Sequence, residues 1–333
     1  MRVLIEILLV ALGFFVAWNI GANDTANCIG TAVGGGIITY RRAVAIVIIF
    51  VFLGAIIDGW RNMRTVGQGI ILGPAGNPIA DPSLTFLAAG ILAAAGLWVL
   101  MATLLGLPIS TSQSMVGAVI GGGIFLSVAR PELGTSVNLS RLTGIAASWV
   151  LNPIFSAILS LVILVPLREL IGRVRGLVTI NRVLGALILI SAAYSAYALG
   201  ANDIGTSMGV VHARMGWSAV AAAVFGASAL AVGALTFSSR VVNTVGKGIA
   251  PLDPASAFAA QFSAALTVCL FVRMGIPVST SQALVGGVAG VGMARRASTV
   301  NRRNLLRICA AWVATPLIAC AVSFLLCRLA SVL

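Results

Sequence analysis

The feature that most constrains the fold of this chain is a series of about ten apolar stretches, most of them close to 20 residues long. About 20 helical residues span the hydrocarbon core of a bilayer, and a helix satisfies its backbone hydrogen bonds internally. Hydrophobic residues make up 59% of the 333 residues and charged residues only 9%, whereas soluble domains carry about 25% charged residues. The sequence therefore predicts an all-α polytopic membrane protein.

Four motifs occur twice, in the same order, along the chain. The pairs are GANDTANCIG (21–30) and GANDIGTSMG (200–209), RTVGQGI (64–70) and NTVGKGI (243–249), PISTSQ (108–113) and PVSTSQ (277–282), and SWVLNPI (148–154) and AWVATPL (311–317). Such pairing indicates a duplication. It predicts an N-terminal repeat at 1–167, an Arg-rich cytoplasmic linker at 168–182 and a C-terminal repeat at 183–333.

Each predicted repeat holds about five membrane spans. Because five is an odd number, the second copy enters the bilayer upside down relative to the first. Two inverted repeats with broken or re-entrant helices are typical of secondary transporters, whose sites lie at the repeat interface near the midplane. The sequence thus favours a transporter architecture.

The net charge of +13 arises from arginines concentrated in the short connections between apolar stretches. Basic residues in short loops mark the cytoplasmic side, where anionic lipids attract them. This pattern predicts a plasma (cytoplasmic) membrane protein in contact with lipid, with both termini outside and the 168–182 linker inside. The charge is explained by topology, so no nucleic-acid partner is expected. The sequence leaves open whether the chain forms a homo-oligomer.

The GAND motifs place a carboxylate at membrane depth in each repeat. Such a carboxylate is costly and is tolerated mainly where it faces a cavity, an ion or a partner. The neighbouring glycines predict helix breaks that free backbone carbonyls, and the resulting oxygens suit an alkali cation such as Na⁺. The alternative is that these residues only cap helices. The predicted cation-binding residues are Asn23, Asp24, Asn27, Asn202, Asp203 and Thr206, with Asp24 and Asp203 as the Na⁺ ligands if transport is sodium-coupled.

The P-x-S-T-S-Q motifs, which we name hydroxyl loop 1 (108–113) and hydroxyl loop 2 (277–282), place three hydroxyl side chains next to a glutamine. We expect Pro108 and Pro277 in the first turn of a helix, so that free N–H groups, hydroxyls and the helix dipole favour a tetrahedral anion. The alternative is that the hydroxyls form caps and interhelical hydrogen bonds. The predicted anion-binding residues are Ser110, Thr111, Ser112, Gln113, Ser279, Thr280, Ser281 and Gln282.

Together, the paired GAND and P-x-S-T-S-Q motifs make the chain resemble the PiT family of inorganic phosphate transporters. The resemblance implies cation-coupled phosphate uptake by two inverted repeats, with Asp24, Asp203 and the two hydroxyl loops as functional residues. The chain departs from the family pattern in having Gln113 and Gln282 where the family usually has histidine. The large cytoplasmic insert of the family is also replaced by the short 168–182 linker.

The sequence therefore predicts a secondary active symporter that takes up inorganic phosphate with Na⁺ or H⁺. A sulfate permease of the same fold and a passive anion channel remain alternatives. Phosphate is favoured because it retains a proton at neutral pH and can donate a hydrogen bond to a glutamine or aspartate oxygen. No enzyme is expected, since the single histidine, His212, lies far along the chain from both serine clusters. No cofactor is expected besides the transported cation. The sequence contains no Walker motif, so it gives no indication that ATP is the energy source.

Overall fold

The computed structural model describes residues 2–73, 85–104, 109–239, 252–294 and 302–331, most of which are helical. In the N-terminal part the helices are α1 (Arg2–Gly34), α2 (Tyr40–Ile57), α3 (Gly59–Arg64), α4 (Thr85–Leu104), α5 (Thr111–Ala129) and α6 (Leu139–Gly172). In the C-terminal part they are α7 (Leu177–Leu199), α8 (Gly205–Met215), α9 (Ala219–Thr236), α10 (Pro254–Arg273), α11 (Thr280–Ala294) and α12 (Arg302–Ala330). A short antiparallel pairing joins β1 (Ile71–Leu72) to β2 (Ser136–Val137).

Nine helices in the described part of the chain are long and apolar enough to cross a membrane. The tenth predicted stretch corresponds to α11, which has 15 residues and is therefore only about 22 Å long. A helix of that length falls short of the hydrocarbon core of about 30 Å. The all-α polytopic architecture is confirmed, and α11 is one arm of a hairpin.

Two helical hairpins carry the hydroxyl loops near their tips. In hairpin 1, α4 and α5 run back along each other, with the Ser114 hydroxyl donating to the Ala95 carbonyl at 3.2 Å. Hairpin 2 pairs α10 with α11, where Gly287 lies against the Ala260 carbonyl. Its tip, residues 274–279, leads directly into α11. Both hairpins thus place the start of their second helix inside the helical bundle, as expected for re-entrant elements.

Each hairpin packs against a helix from the other predicted repeat. A Cβ atom added at Gly117 of α5 would lie 2.3 Å from the Pro316 carbonyl oxygen of α12. A Cβ atom added at Gly286 of α11 would lie 2.2 Å from the Pro153 carbonyl oxygen of α6. Pro153 and Pro316 occupy matching positions of repeated motifs, and Gly117 and Gly286 each follow a P-x-S-T-S-Q motif at the same distance. The two contacts are therefore equivalent, with the halves exchanged. This reciprocity is what an inverted duplication requires, and the exact repeat boundaries stay a prediction.

The GAND motifs do not break their helices in the way that the sequence suggested. Helix α1 continues through Gly21–Gly30 as regular α-helix, and the second motif forms a π-helical turn, Gly200–Ile204, between α7 and α8. The predicted helix break is therefore wrong for the first motif. The glycines serve close helix crossing instead, because a Cβ atom at Gly21 would lie 2.0 Å from the Leu230 carbonyl oxygen. At Gly200 the corresponding distance to the Val51 carbonyl oxygen is 2.1 Å.

Other predicted segments are located only in part. Of the linker predicted at 168–182, only residues 173–176 lie between α6 and α7. The motif at 64–70 forms the end of α3 and a π-helical turn, Thr65–Gly69. Its counterpart at 243–249 and Pro108 of hydroxyl loop 1 lie outside the described residues.

Candidate cation and anion site

The two GAND carboxylates meet at one threonine of hydroxyl loop 1. Asp24 of α1 and Asp203 of the second GAND turn are 2% and 1% exposed. The Thr111 hydroxyl oxygen lies 3.1 Å from Asp24 Oδ2 and 3.0 Å from Asp203 Oδ1. Since one hydroxyl carries one proton, it can donate to only one of these oxygens at a time. The two carboxylates therefore compete for the single proton of the Thr111 hydroxyl.

Because the two carboxylates are close and buried, it is energetically unfavourable for both to be ionised without a counter-charge. The two oxygens are separated by at most the sum of the two distances, about 6 Å. Two unit negative charges at that separation repel by about 3 kcal/mol at an effective dielectric constant of about 20. Removing each charge from water adds a penalty of several kcal/mol. A bound cation or a proton would offset both costs, so the geometry suits a site that takes up positive charge.

Asp203 presents an oxygen atom that is available to a ligand. Its Oδ1 accepts from the Ser112 hydroxyl at 2.8 Å and lies 3.0 Å from the Thr111 hydroxyl. Its Oδ2 is buried and has no hydrogen-bond partner among the described residues. A buried carboxylate oxygen without a donor is costly, which makes this atom a natural ligand for a hard cation.

Asp24 is connected to hydroxyl loop 2 through Asn27. The Asn27 amide nitrogen donates to Asp24 Oδ1 at 3.2 Å and to the Ser281 hydroxyl at 3.1 Å. The carboxylate of the first half is thus linked to the loop of the second half through Asn27. Conversely, Asp203 of the second half touches hydroxyl loop 1. The structure brings members of both predicted groups, from both halves, together at one place.

The first serine of each hydroxyl loop caps the following helix. The Ser110 hydroxyl oxygen accepts from the Gln113 backbone N–H at 3.2 Å, and that of Ser279 accepts from the Gln282 backbone N–H at 3.1 Å. Helix α11 consequently begins at Thr280, which leaves Pro277 before the cap. Its predicted place in the first helical turn is wrong, because the serine cap sets the helix start.

Several predicted anion donors lie against protein groups in this structure. The hydroxyls of Thr111 and Ser112 contact the carboxylates, and the Ser281 hydroxyl accepts from Asn27. The side-chain oxygens of Gln113 and Gln282 are buried and lack hydrogen-bond partners within the described part of the chain. The start of α5 contacts the carboxylate pair through Thr111 and Ser112. The anion-binding assignment of the loops stays a prediction.

Two predicted cation ligands are engaged elsewhere. The Asn23 amide donates to the Thr103 hydroxyl of α4 at 3.1 Å. The Thr206 hydroxyl donates to the Asn202 carbonyl at 2.6 Å, within its own helical segment. Both contacts are structural, and neither residue contacts a carboxylate through the bonds that the structure records.

Two buried asparagines next to the site were not identified from the sequence. Asn62 of α3 donates to the Asn202 side-chain oxygen at 3.1 Å, and Asn152 of α6 donates to the Ser279 carbonyl at 2.8 Å. Both are 0% exposed. An available signal existed for Asn152, which belongs to the repeated motif SWVLNPI, but not for Asn62, which lies outside the repeated motifs.

The tip of hairpin 2 is anchored by a small charged cluster. Asp58, at the end of α2, pairs with Arg61 Nε at 3.3 Å and accepts from the Tyr197 hydroxyl at 2.7 Å. Arg273, the last residue of α10, approaches the same carboxylate with its Nε at 3.9 Å. The Thr65 hydroxyl donates to the Gly275 carbonyl at 2.7 Å. The ion pair of Asp58 and Arg61 thus extends, through Arg273, to the hairpin that carries hydroxyl loop 2.

Comparisons with known proteins agree with this architecture. A protein of Pyrococcus horikoshii that is named a phosphate permease is 30% identical, with 93% of each chain covered. The chloroplastic inorganic phosphate transporter 2-1 of Arabidopsis thaliana is 27% identical, covering 91% of this chain and 68% of the plant protein. A solved structure titled the sodium-dependent phosphate transporter superimposes with a TM-score of 0.86 at 27% identity, covering 99% of both chains.

The match to a family model decides between the classes of protein considered from the sequence. Residues 20–323 match the model of the phosphate transporter family, a range that includes both GAND motifs and both hydroxyl loops. The expectation of a transporter rather than an enzyme is confirmed. The chain belongs to the phosphate transporter family.

Proposed function

We propose that this phosphate transporter is a symporter that couples phosphate uptake to Na⁺ held between Asp24 and Asp203. The observation that carries the proposal is the sharing of the Thr111 hydroxyl by two buried carboxylates. Two carboxylates so close in an apolar protein need positive charge. Bound Na⁺ would offset the charge of the pair, and its movement down the Na⁺ gradient would supply the driving force for phosphate uptake.

The set of oxygens around the pair supports Na⁺ over H⁺. Both carboxylates, the Thr111 hydroxyl and the Ser112 hydroxyl present hard oxygen atoms within a few ångströms of one another. The buried Asp203 Oδ2, which lacks a donor in the described residues, adds a further oxygen. Alkali cations favour such oxygen ligands, and the structural relative is titled sodium-dependent. A proton would need only one carboxylate oxygen.

The hydroxyl loops are the proposed phosphate site. The backbone N–H groups at the starts of α5 and α11 are the positive ends of helix dipoles, and the start of α5 contacts the carboxylate pair through Thr111 and Ser112. A bound cation would reduce the negative charge of this region and so lower its repulsion of an anion. Phosphate also carries a proton that can be donated to a buried acceptor, such as the Gln113 or Gln282 oxygen. This arrangement supports phosphate over sulfate, which only accepts hydrogen bonds.

Uptake by proteoliposomes tests the proposal. Labelled phosphate should accumulate when an inward Na⁺ gradient is imposed, and not when an equal K⁺ gradient replaces it. Accumulation driven by a pH gradient alone would assign H⁺ as the coupling ion. Equilibration without accumulation under any gradient would favour the passive channel. Labelled sulfate, at the same concentration, should enter far more slowly than phosphate.

We also propose that both termini lie outside the cytoplasm, as the distribution of arginines indicates. In that orientation residues 173–176, between α6 and α7, face the cytoplasm. A cysteine replacing Val174 should react with an impermeant thiol reagent only after the cells are opened. Reaction in intact cells would reverse the proposed orientation.

A further inference from the structure

We propose that Asn202 is a positioning residue that links cation binding at Asp203 to the anion-binding conformation of the two hydroxyl loops. The inference rests on the proposed symport. Asn202 precedes Asp203 in the second GAND turn and is 0% exposed. Its side chain was predicted to bind a cation, but its contacts in the structure assign it a different task.

The Asn202 side-chain amide forms hydrogen bonds with the backbone of Val278, which directly precedes the capping residue Ser279 of hydroxyl loop 2. Its nitrogen donates to the Val278 carbonyl at 2.7 Å, and its oxygen accepts from the Val278 backbone N–H at 3.1 Å. Two antiparallel hydrogen bonds to one residue fix both the position and the rotation of that peptide segment. Since Ser279 follows directly, this grip also orients the cap of α11.

The same amide reaches hydroxyl loop 1. Its nitrogen also donates to the Ser112 hydroxyl at 3.1 Å, and that hydroxyl in turn donates to Asp203 Oδ1 at 2.8 Å. Asn202 therefore connects loop 2, loop 1 and the carboxylate through consecutive hydrogen bonds. A cation bound by the Asp203 carboxylate would alter the hydrogen bond from Ser112 to Oδ1 and, through it, the bonds between Asn202 and Val278.

Asn62 holds the Asn202 side chain in this orientation. Its amide nitrogen donates to Asn202 Oδ1 at 3.1 Å, so that the oxygen accepts two hydrogen bonds and the nitrogen donates two. An amide oxygen offers two lone pairs and an amide nitrogen two protons. The hydrogen-bonding capacity of Asn202 is thus fully used by protein groups, which leaves its oxygen unsuited to bind the cation itself.

The first half of the protein uses its matching residue differently. Asn23, the counterpart of Asn202 in the first GAND motif, donates to the Thr103 hydroxyl of α4. The two motifs are equal in sequence at this position but unequal in contacts. The grip on a hydroxyl loop is therefore observed at Asn202, and linkage between cation and anion is assigned to the second half.

The test measures binding of labelled phosphate to purified protein at low and at saturating Na⁺. The ratio of the two dissociation constants is the coupling factor, which for linked sites is typically about 5–150-fold. In Asn202→Ala we expect this ratio to fall close to one, with phosphate binding at saturating Na⁺ weakened about tenfold. By reciprocity, phosphate should then no longer tighten Na⁺ binding. A side chain that only stabilised the fold would weaken both ligands without changing the ratio.

Two further variants make the result decisive. Asn62 forms no recorded hydrogen bond to either loop, but it supports the Asn202 side chain. Asn62→Ala should therefore lower the coupling ratio in part. If Asn202→Ala does not fold, Asn62→Ala provides the test in its place. Asn19→Ala is the matched control, because Asn19 is a buried asparagine whose amide bonds within α1, to the Phe15 carbonyl. It should keep the wild-type ratio.

The outcomes separate this inference from the proposed function. A wild-type ratio well above one that persists in Asn202→Ala and Asn62→Ala would overturn the positioning role and leave symport intact. A wild-type ratio of one would contradict the symport itself, and the inference with it.

Discussion

A single methyl group at Gly286 should separate hairpin 2 from α6 and disturb the anion site. A Cβ atom there would lie 2.2 Å from the Pro153 carbonyl oxygen, whereas ordinary contact begins near 3.4 Å. The helices must therefore move apart by about 1 Å. Overpacking of this kind costs about 1–3 kcal/mol, which exceeds the gain of about 1 kcal/mol from replacing a helical glycine by alanine.

Thermal unfolding in detergent and phosphate binding provide the two readouts for Gly286→Ala. We expect a lower unfolding temperature and weaker phosphate binding, because α11 carries Thr280–Gln282 of hydroxyl loop 2 at its start. The matched control is Gly144→Ala in α6, where an added Cβ meets nothing within 4 Å. That control should be unchanged or slightly more stable. A Gly286→Ala protein as stable as the control, with wild-type phosphate affinity, would refute the proposed packing of hairpin 2.

Two further predictions concern the hydroxyl loops. Ser110→Ala and Ser279→Ala should each weaken phosphate binding by roughly tenfold to a hundredfold, the effect of losing a hydrogen bond to a charged ligand of about 1.5–3 kcal/mol; a large loss from one loop and none from the other would contradict a shared anion site. Asp58→Asn should loosen the tip of hairpin 2 and raise the thiol-labelling rate of a cysteine at Ile276 about fivefold, as expected for an ion pair worth about 1 kcal/mol; an unchanged rate would show that the Asp58 cluster does not hold the tip.

The sequence predicts the membrane helices and the meeting of the two motif pairs, because both follow from strong local patterns and from duplication. Apolar length identifies the spans, and repetition predicts that Asp24 and Asp203 lie on opposite sides of a shared interface. The serine caps at Ser110 and Ser279 follow from local backbone chemistry. These elements depend on short stretches of chain, so they can be inferred without knowing the packing.

The remaining features depend on packing between distant helices. The glycines of the first GAND motif suggested a helix break, but the nearby Leu230 carbonyl of α9 explains Gly21 as a crossing point. Asn62 has no asparagine counterpart that a repeat search would reveal, and its role depends on contact with Asn202, 140 residues away. The difference between Asn23 and Asn202 cannot be predicted from the shared GAND residues, because it depends on packing: the recorded partner of Asn23 lies in hairpin 1, whereas those of Asn202 include residues of both hairpins.

Direct binding of labelled Na⁺ to the purified protein tests the central claim most simply. The wild-type protein should bind Na⁺, and phosphate should tighten that binding. Asp24→Asn and Asp203→Asn, which remove one charge each without changing side-chain size, should lose saturable Na⁺ binding while still folding and inserting into membranes. Wild-type Na⁺ affinity in both variants would contradict a cation site between the two carboxylates.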